Sequence, residues 1–192
     1  DGVEKLSGCE HKVIPDRIEA GTFLIASAAT YSNITIGPVI PNHLESVLET
    51  LKETGSKIYI KGNEITIKTK EIKAVNIKTA PFPGFPTDLQ APFTALMAIA
   101  KGNSEISETI YENRMGHVDL LNSMGASIKL VNNIAKIQGV DELKGQNLKG
   151  SDLRSTAALI IAALSAKDTS YIGGLEHLDR GYDCFESKLN SL

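Results

Sequence analysis

The sequence has 192 residues, of which 42% are hydrophobic and 22% are charged, and its formal net charge is -3. This composition is typical of one globular domain, and the small negative charge excludes a general attraction to nucleic acid or to an anionic membrane surface. The apolar runs are about half as long as a membrane-spanning helix, and the two cysteines lack the spacing of a disulfide framework or a zinc site.

The first predicted unit contains a helix that follows Asp16 and ends near residue 30. Its side chains are apolar on nearly all sides and rich in Ala, Gly and Ser, which indicates a helix buried all round. Asp16 is its predicted N-cap, because a carboxylate accepts hydrogen bonds from the unpaired N–H groups of a first turn. Three elements complete the unit: a strand at 33–39, an amphipathic helix at 41–55 and a hairpin at 57–68 that turns at Gly62-Asn63.

The same order of elements recurs twice along the chain. The second and third buried helices follow Asp88 and Asp152, which are their predicted N-caps. A strand and an amphipathic helix come after each of them, and the second copy ends in a hairpin that turns at Asn132-Asn133. The third copy stops before its hairpin. The repeats cover approximately residues 1–70, 71–138 and 139–192.

Such internal repeats predict the architecture directly. We expect an α/β domain spanning residues 1–192, in which three strand-helix-strand-helix-hairpin units surround a pseudo-threefold axis. The helices should lie inside and the sheets outside, with the last unit truncated.

The four arginines have a distribution of their own. Each follows an Asp or Asn by one or two positions at a predicted helix start: Arg17, Arg114, Arg154 and Arg180. A guanidinium group suits bidentate capture of phosphate or carboxylate. One interpretation is that each arginine only pairs with its neighbouring carboxylate. Because four such positions should point toward one end of a threefold bundle, we favour an anion-binding surface.

Asp88 has an unusually stiff approach, PFPGFPTD, which contains Pro81, Pro83 and Pro86. The prolines fix their own φ and favour extended conformations before them, so the chain cannot become helical before Thr87. One interpretation is that Asp88 serves only as a cap, but a carboxylate held beside several arginines can also act as a general base. The sequence therefore makes Asp88 the candidate base.

The remaining reactive side chains carry weaker signals. Cys9 and Cys184 are interpreted as packing residues, and His117 and His177 as surface or capping residues beside arginines. The chain begins without methionine and ends within a helical pattern, so we expect a piece of a longer protein. The cysteine usage favours a reducing, cytoplasmic setting.

Four motifs in order carry a resemblance that covers essentially the whole chain: FPTDLQAPF, ETIYENRMGHVDLLNSMGA, DLRSTAALIIAAL and HLDRGYDCFESKL. Together they resemble the C-terminal half of the UDP-N-acetylglucosamine 1-carboxyvinyltransferases, a family of enolpyruvyl transferases. The resemblance implies a two-domain fold with three similar units in each domain. It also implies transfer of the enolpyruvyl group of phosphoenolpyruvate to the sugar 3-hydroxyl, with release of phosphate, in the first committed step of peptidoglycan synthesis. No metal or organic cofactor is implied.

The resemblance also assigns roles to residues. Asp88 would meet the sugar 3-hydroxyl as the favoured base, and Ile110 would offer backbone contact to the sugar nucleotide. Arg114 would lie near Ile110 as a further catalytic and binding residue. Asp152 and Arg154 would shape the phosphoenolpyruvate pocket, and Arg180 would hold the anionic groups of that substrate.

The departures from the family matter equally. The N-terminal domain is absent, and with it the lysine-asparagine pair, several arginines and the loop with a reactive cysteine that the family carries. We expect half an active site, inactive until the missing domain of the same enzyme is supplied. Two alternatives stay open: the related transferase that acts on shikimate 3-phosphate, and a non-catalytic domain that binds a phosphorylated ligand.

Overall fold

Three buried helices form the centre of the domain in the computed structural model, which describes residues 2–192 and so leaves out Asp1 of the predicted first repeat. They are α1 (Arg17–Ala29), α3 (Gln90–Ala98) and α5 (Leu153–Ser165), and each packs against the other two. Every residue of α3 is buried, as its largely apolar sequence predicts. Gly21 of α1 allows close approach, because a Cβ there would overlap the Leu89 side chain of the turn that carries Asp88.

Three sheets lie outside these helices. The first is antiparallel in the order β1-β3-β2, and the second has the order β4-β5-β7-β6, in which β4 runs parallel to β5. The third consists of the parallel pair β8-β9. The strands are β1 (Asn33–Ile36), β2 (Lys57–Lys61), β3 (Glu64–Lys68), β4 (Ile77–Lys78), β5 (Asn103–Ser107), β6 (Ser127–Val131), β7 (Ile134–Gln138), β8 (Asn147–Lys149) and β9 (Tyr171–Gly173).

In each unit the outer helices follow the strand that comes after the buried helix. They are α2 (Glu45–Glu53), α4 (His117–Ser123), α6 (Leu175–Asp179) and α7 (Phe185–Asn190). Both predicted hairpin turns are confirmed, with φ of 60° at Gly62 and 53° at Asn132. Phe185 of α7 packs on Phe23 of α1 with ring centroids 4.9 Å apart, which fastens the third unit onto the first.

The predicted fold class is confirmed, with helices inside, sheets outside and a third unit without a hairpin. Two elements differ from the prediction. Residues 2–16 form no strand, so the first unit begins with its helix. The last outer helix is split into α6 and α7, because Cys184 adopts a left-handed conformation with φ of 48° and the chain turns inward at buried Tyr182.

Candidate functional site

Asp88 does not cap a helix, which corrects the prediction. It lies in a 3₁₀ turn, Thr87–Leu89, that leads into α3, and no side chain caps either element. Its Oδ1 instead accepts hydrogen bonds from Arg114 Nη2 at 2.9 Å and from Arg154 Nε at 3.1 Å. Among residues 2–192 none donates to Oδ2. The two guanidinium groups therefore orient the carboxylate and leave one oxygen available.

The structure brings the predicted catalytic residues to one open cavity of about 450 Å³. Asp88 and Arg114 come from the second unit, whereas Asp152, Arg154 and Arg180 come from the third. The cavity is lined by Asp88, Asn113, Arg114, Gly116, Ser151, Asp152, Leu153, Arg154 and Arg180. An exposed guanidinium at Arg180 and two partly buried ones beside Asp88 make this cavity suited to an anion.

A second cavity, of about 170 Å³, adjoins the first at Asp88. It contains the remaining predicted site residue, Ile110, and the fourth arginine, Arg17. The proline-rich approach forms its wall through Pro81 and Pro86. Because Asp88 borders both cavities, two ligands bound side by side would meet at its carboxylate.

Asp152 caps α5 as predicted. Its Oδ1 accepts from the backbone N–H groups of Arg154 at 2.9 Å and Ser155 at 3.0 Å, and the Ser155 hydroxyl completes a capping box. Burial opposes the charged form, but the hydrogen bonds from Ser155, Arg154 and Ser151 outweigh it and lower the pKa of Asp152. The carboxylate thus fixes the start of the helix that carries Arg154.

Arg154 is held from behind by a chain of hydrogen bonds. Its Nη1 donates to the Tyr182 hydroxyl at 3.4 Å. The same hydroxyl forms a hydrogen bond of 2.8 Å with Thr22 Oγ1 of α1. Thr22 in turn donates to the Ile18 carbonyl at 2.9 Å. Burial raises the pKa of Tyr182, so the phenol remains a hydrogen-bonding hydroxyl at neutral pH. This chain connects the first and third units behind the Asp88 carboxylate.

Two of the arginines are not at helix starts, contrary to prediction. Arg114 lies in the loop before α4, which begins at His117, because Asn113 is left-handed with φ of 57° and interrupts the helix. Arg180 is the C-cap of α6. Only Arg17 and Arg154 occupy first turns. Loops and helix ends therefore position half of the guanidinium groups.

Sequence reasoning missed several residues that hold the site. Glu108 is buried next to the site. The alternation of β5 could have predicted this burial, because Ile106 faces the core and Glu108 is two residues later on the same face. Tyr182 gave no signal, because its partner Thr22 is 160 residues away in sequence. His117 is buried instead of exposed, and desolvation lowers its pKa to about 4, although Asp152 opposes the shift.

The cysteines are exposed, so their prediction as packing residues is wrong. Residues 2–192 contain no group of three or more His, Cys, Asp or Glu side chains that could hold a metal ion. None of the helices in that part of the chain has the length and apolar character to cross a membrane.

A larger cavity of about 750 Å³ beside β5, β6 and β7 contains no arginine and lies apart from Asp88, so we place the site at the two smaller cavities.

Residues 1–189 match the family described as EPSP synthase (3-phosphoshikimate 1-carboxyvinyltransferase). The chain belongs to this family. Within it, the sequence is 70% identical over 192 residues to a UDP-N-acetylglucosamine 1-carboxyvinyltransferase of Prochlorococcus marinus (strain AS9601), and 56% identical over 191 residues to that of Synechococcus sp. (strain CC9605). These matches cover 100% and 99% of the chain but 42% and 44% of the relatives, so the chain spans less than half the length of the curated proteins it matches.

Solved structures of the family have the same fold. The enolpyruvyl transferase NikO from Streptomyces tendae superimposes with a TM-score of 0.84 at 26% identity, over 94% of this chain and 43% of that one. EPSP synthase from Acinetobacter baumannii gives 0.66 at 17% identity, over 90% and 44%, which supports the fold alone. The family is therefore enolpyruvyl transferase in both sequence and architecture.

Proposed function

We propose that this chain supplies one wall of the active site of a UDP-N-acetylglucosamine 1-carboxyvinyltransferase. The whole enzyme transfers the enolpyruvyl group of phosphoenolpyruvate to the 3-hydroxyl of UDP-N-acetylglucosamine and releases phosphate, in the first committed step of peptidoglycan synthesis in the bacterial cytoplasm. The observation that carries the proposal is the Asp88 carboxylate, which two arginines grip through one oxygen at the junction of two cavities. The high identity to enzymes of that name supports this substrate over shikimate 3-phosphate.

In this proposal Asp88 is the general base. Its Oδ2 atom takes the proton of the sugar 3-hydroxyl while the sugar oxygen bonds to C2 of phosphoenolpyruvate. The double bond opens as its electron pair takes up a proton from water at the methylene carbon. It forms again when that carbon loses a proton to water and the bond between C2 and the phosphate oxygen breaks, which releases phosphate. A base must be fixed at hydrogen-bonding distance from its proton, and the grip of Arg114 and Arg154 on Oδ1 provides that fixed orientation.

The arginine-lined cavity would hold phosphoenolpyruvate. Arg154 and Arg180 would contact its anionic groups, with Asp152 shaping the wall and Arg114 at the boundary with the sugar. Donors that are aimed before the reaction need no reorganisation, and each one lost costs about 3–4 kcal/mol of transition-state stabilisation. The sugar nucleotide would enter from the Ile110 side.

The chain is one domain, residues 1–192 with repeats at approximately 1–70, 71–138 and 139–192, of a two-domain enzyme. Its partner is the other domain of the same protein, which would close over the cavities and exclude water. The open, exposed position of Arg180 agrees with a site that is completed from outside. Isolated, the 192 residues should release no measurable phosphate from the two substrates.

An Asp88→Asn substitution in the full-length enzyme tests the proposal. Asparagine can still accept from both arginines but cannot take a proton, so kcat should fall by about 100- to 10,000-fold with the fold intact. Asp141→Asn, at an exposed aspartate away from both cavities, is the matched control. Unchanged turnover in Asp88→Asn, or a wild-type enzyme that uses shikimate 3-phosphate instead, would contradict the proposal.

A further inference from the structure

Glu108 is a buried carboxylate that four neutral groups surround. It is 3% exposed and forms no ion pair with any residue from 2 to 192. Its Oε1 accepts from the backbone N–H groups of Ile110 at 2.7 Å and Tyr111 at 3.1 Å, and from Thr79 Oγ1 at 2.9 Å. Its Oε2 accepts from Thr87 Oγ1 at 2.7 Å. A carboxylate without a cation is costly to bury, so its presence here calls for a role.

We propose that Glu108 is a positioning residue that fixes both walls of the Asp88 site. The first connection runs through Thr87, whose hydroxyl has a single proton. Because that proton is given to Glu108, the hydroxyl oxygen presents its lone pairs to Arg114 Nη1 at 2.7 Å. The other amino group of Arg114 then meets Asp88 Oδ1. Glu108 thereby sets the angle of the guanidinium that orients the base.

The second connection runs through the backbone. Glu108 Oε1 binds two successive N–H groups, those of Ile110 and Tyr111, so this segment cannot rotate without breaking both bonds. Ile110 borders the smaller cavity together with Asp88. One side chain thus ties the Ile110 wall and the Arg114 guanidinium to a common point. The proposal rests on the function proposed above, since it names the group that positions the two walls of that site.

A purely structural role would look different. Glu108 also accepts from Thr79, which in turn accepts from the Thr109 N–H at 2.8 Å and makes no hydrogen bond to Arg114. If Glu108 only attached the loop that contains Ile110 and Tyr111 to the end of β4, loss of the Thr79 bond and loss of the Thr87 bond should have equal effects on activity. The positioning role predicts that loss of the Thr87 bond lowers the reaction rate, whereas loss of the Thr79 bond does not.

Steady-state kinetics of the full-length enzyme separate these roles. Thr87→Val keeps the side-chain shape but removes the hydroxyl, and we expect kcat/KM to fall about 10- to 100-fold, the range for one lost hydrogen bond to a charged group. Thr87→Ser restores the hydroxyl and should return kcat/KM to within about three-fold of wild type. Thr79→Val is the matched control: it should lower the thermal midpoint while kcat/KM stays within about three-fold of wild type.

A double-mutant cycle distinguishes a shared hydrogen-bond relay from a general loss of stability. Glu108→Gln leaves an amide that cannot accept the Thr87 proton at Oε2, so it breaks the same relay as Thr87→Val. The double variant should then be no slower than the slower single variant, whereas independent effects would multiply. Multiplying effects, or a Thr87→Val enzyme as active as wild type, would overturn the positioning role.

The geometry can also be tested without turnover. In a crystal structure of the Glu108→Gln enzyme, Arg114 Nη1 should move beyond hydrogen-bonding distance of Thr87 Oγ1. An unchanged contact would overturn the inference. A wild-type enzyme that does not act on the two substrates would overturn the proposed function instead, and this crystallographic result would still decide the role of Glu108.

Discussion

Acid should destabilise this domain through the imidazole of His117, which is 1% exposed at the start of α4. Its pKa is about 4 in the folded chain against 6.5 for the free side chain, because burial disfavours the charged form. The unfolded chain therefore binds the proton first as the pH falls. Stability due to the neutral imidazole is complete above pH 6.5 and is lost progressively down to about pH 4.

The magnitude follows from the two pKa values. At pH 5 an unfolded imidazole of pKa 6.5 is almost fully protonated, whereas the folded one of pKa about 4 is about one-tenth protonated. The difference lowers the free energy of unfolding by about 2 kcal/mol relative to pH 8, and the full shift would correspond to about 3 kcal/mol. Since Arg114 is three residues before His117, the same loss should loosen the site.

Urea unfolding followed by circular dichroism measures this directly, at several values between pH 8 and pH 5. The wild-type chain should lose stability over that interval, and His117→Leu, which cannot titrate, should lose much less. The same substitution at exposed His11 controls for the removal of an imidazole as such. A wild-type profile that is flat down to pH 5, or an equal loss in His117→Leu, would refute the assignment.

Three further predictions concern the site and the sheet edges. Tyr182→Phe removes the hydroxyl between Arg154 and Thr22, and should cost about 1–2 kcal/mol in urea unfolding and lower kcat of the full-length enzyme; unchanged values for both would contradict it. Arg154→Lys keeps the charge but loses the planar fork, so kcat should fall about 100- to 1,000-fold with thermal stability nearly retained, and an active lysine variant would rule this out. The outer edge of β1 pairs with no strand from residues 2–192, so the isolated chain should self-associate in sedimentation velocity as concentration rises; a monomer at all concentrations would argue against it.

The fold was predictable because its signals are local. α1, α3 and α5 are apolar on nearly all sides, so their burial follows from composition alone. Asp16 and Asp152 cap the helices that follow them, since N-cap chemistry involves only three or four consecutive residues. The hairpins at Gly62 and Asn132 follow from the same kind of short-range rule.

The site was only partly predictable, because its contacts are long-range. Asp88 was expected to bind its own helix, but Arg154, 66 residues away in sequence, competes for the carboxylate. Arg114 was expected on a helix, and the left-handed Asn113 places it in a loop that Glu108 organises. A sequence pattern can thus identify which side chains carry charge, while tertiary packing decides where each guanidinium points.

The most direct test of the account is a crystal structure of the full-length enzyme with UDP-N-acetylglucosamine bound. We expect the sugar 3-hydroxyl to lie about 2.6–3.2 Å from Asp88 Oδ2, with Oδ1 still bound by Arg114 and Arg154. A sugar nucleotide whose 3-hydroxyl does not reach Asp88, or one that occupies the larger cavity beside β5, would contradict it.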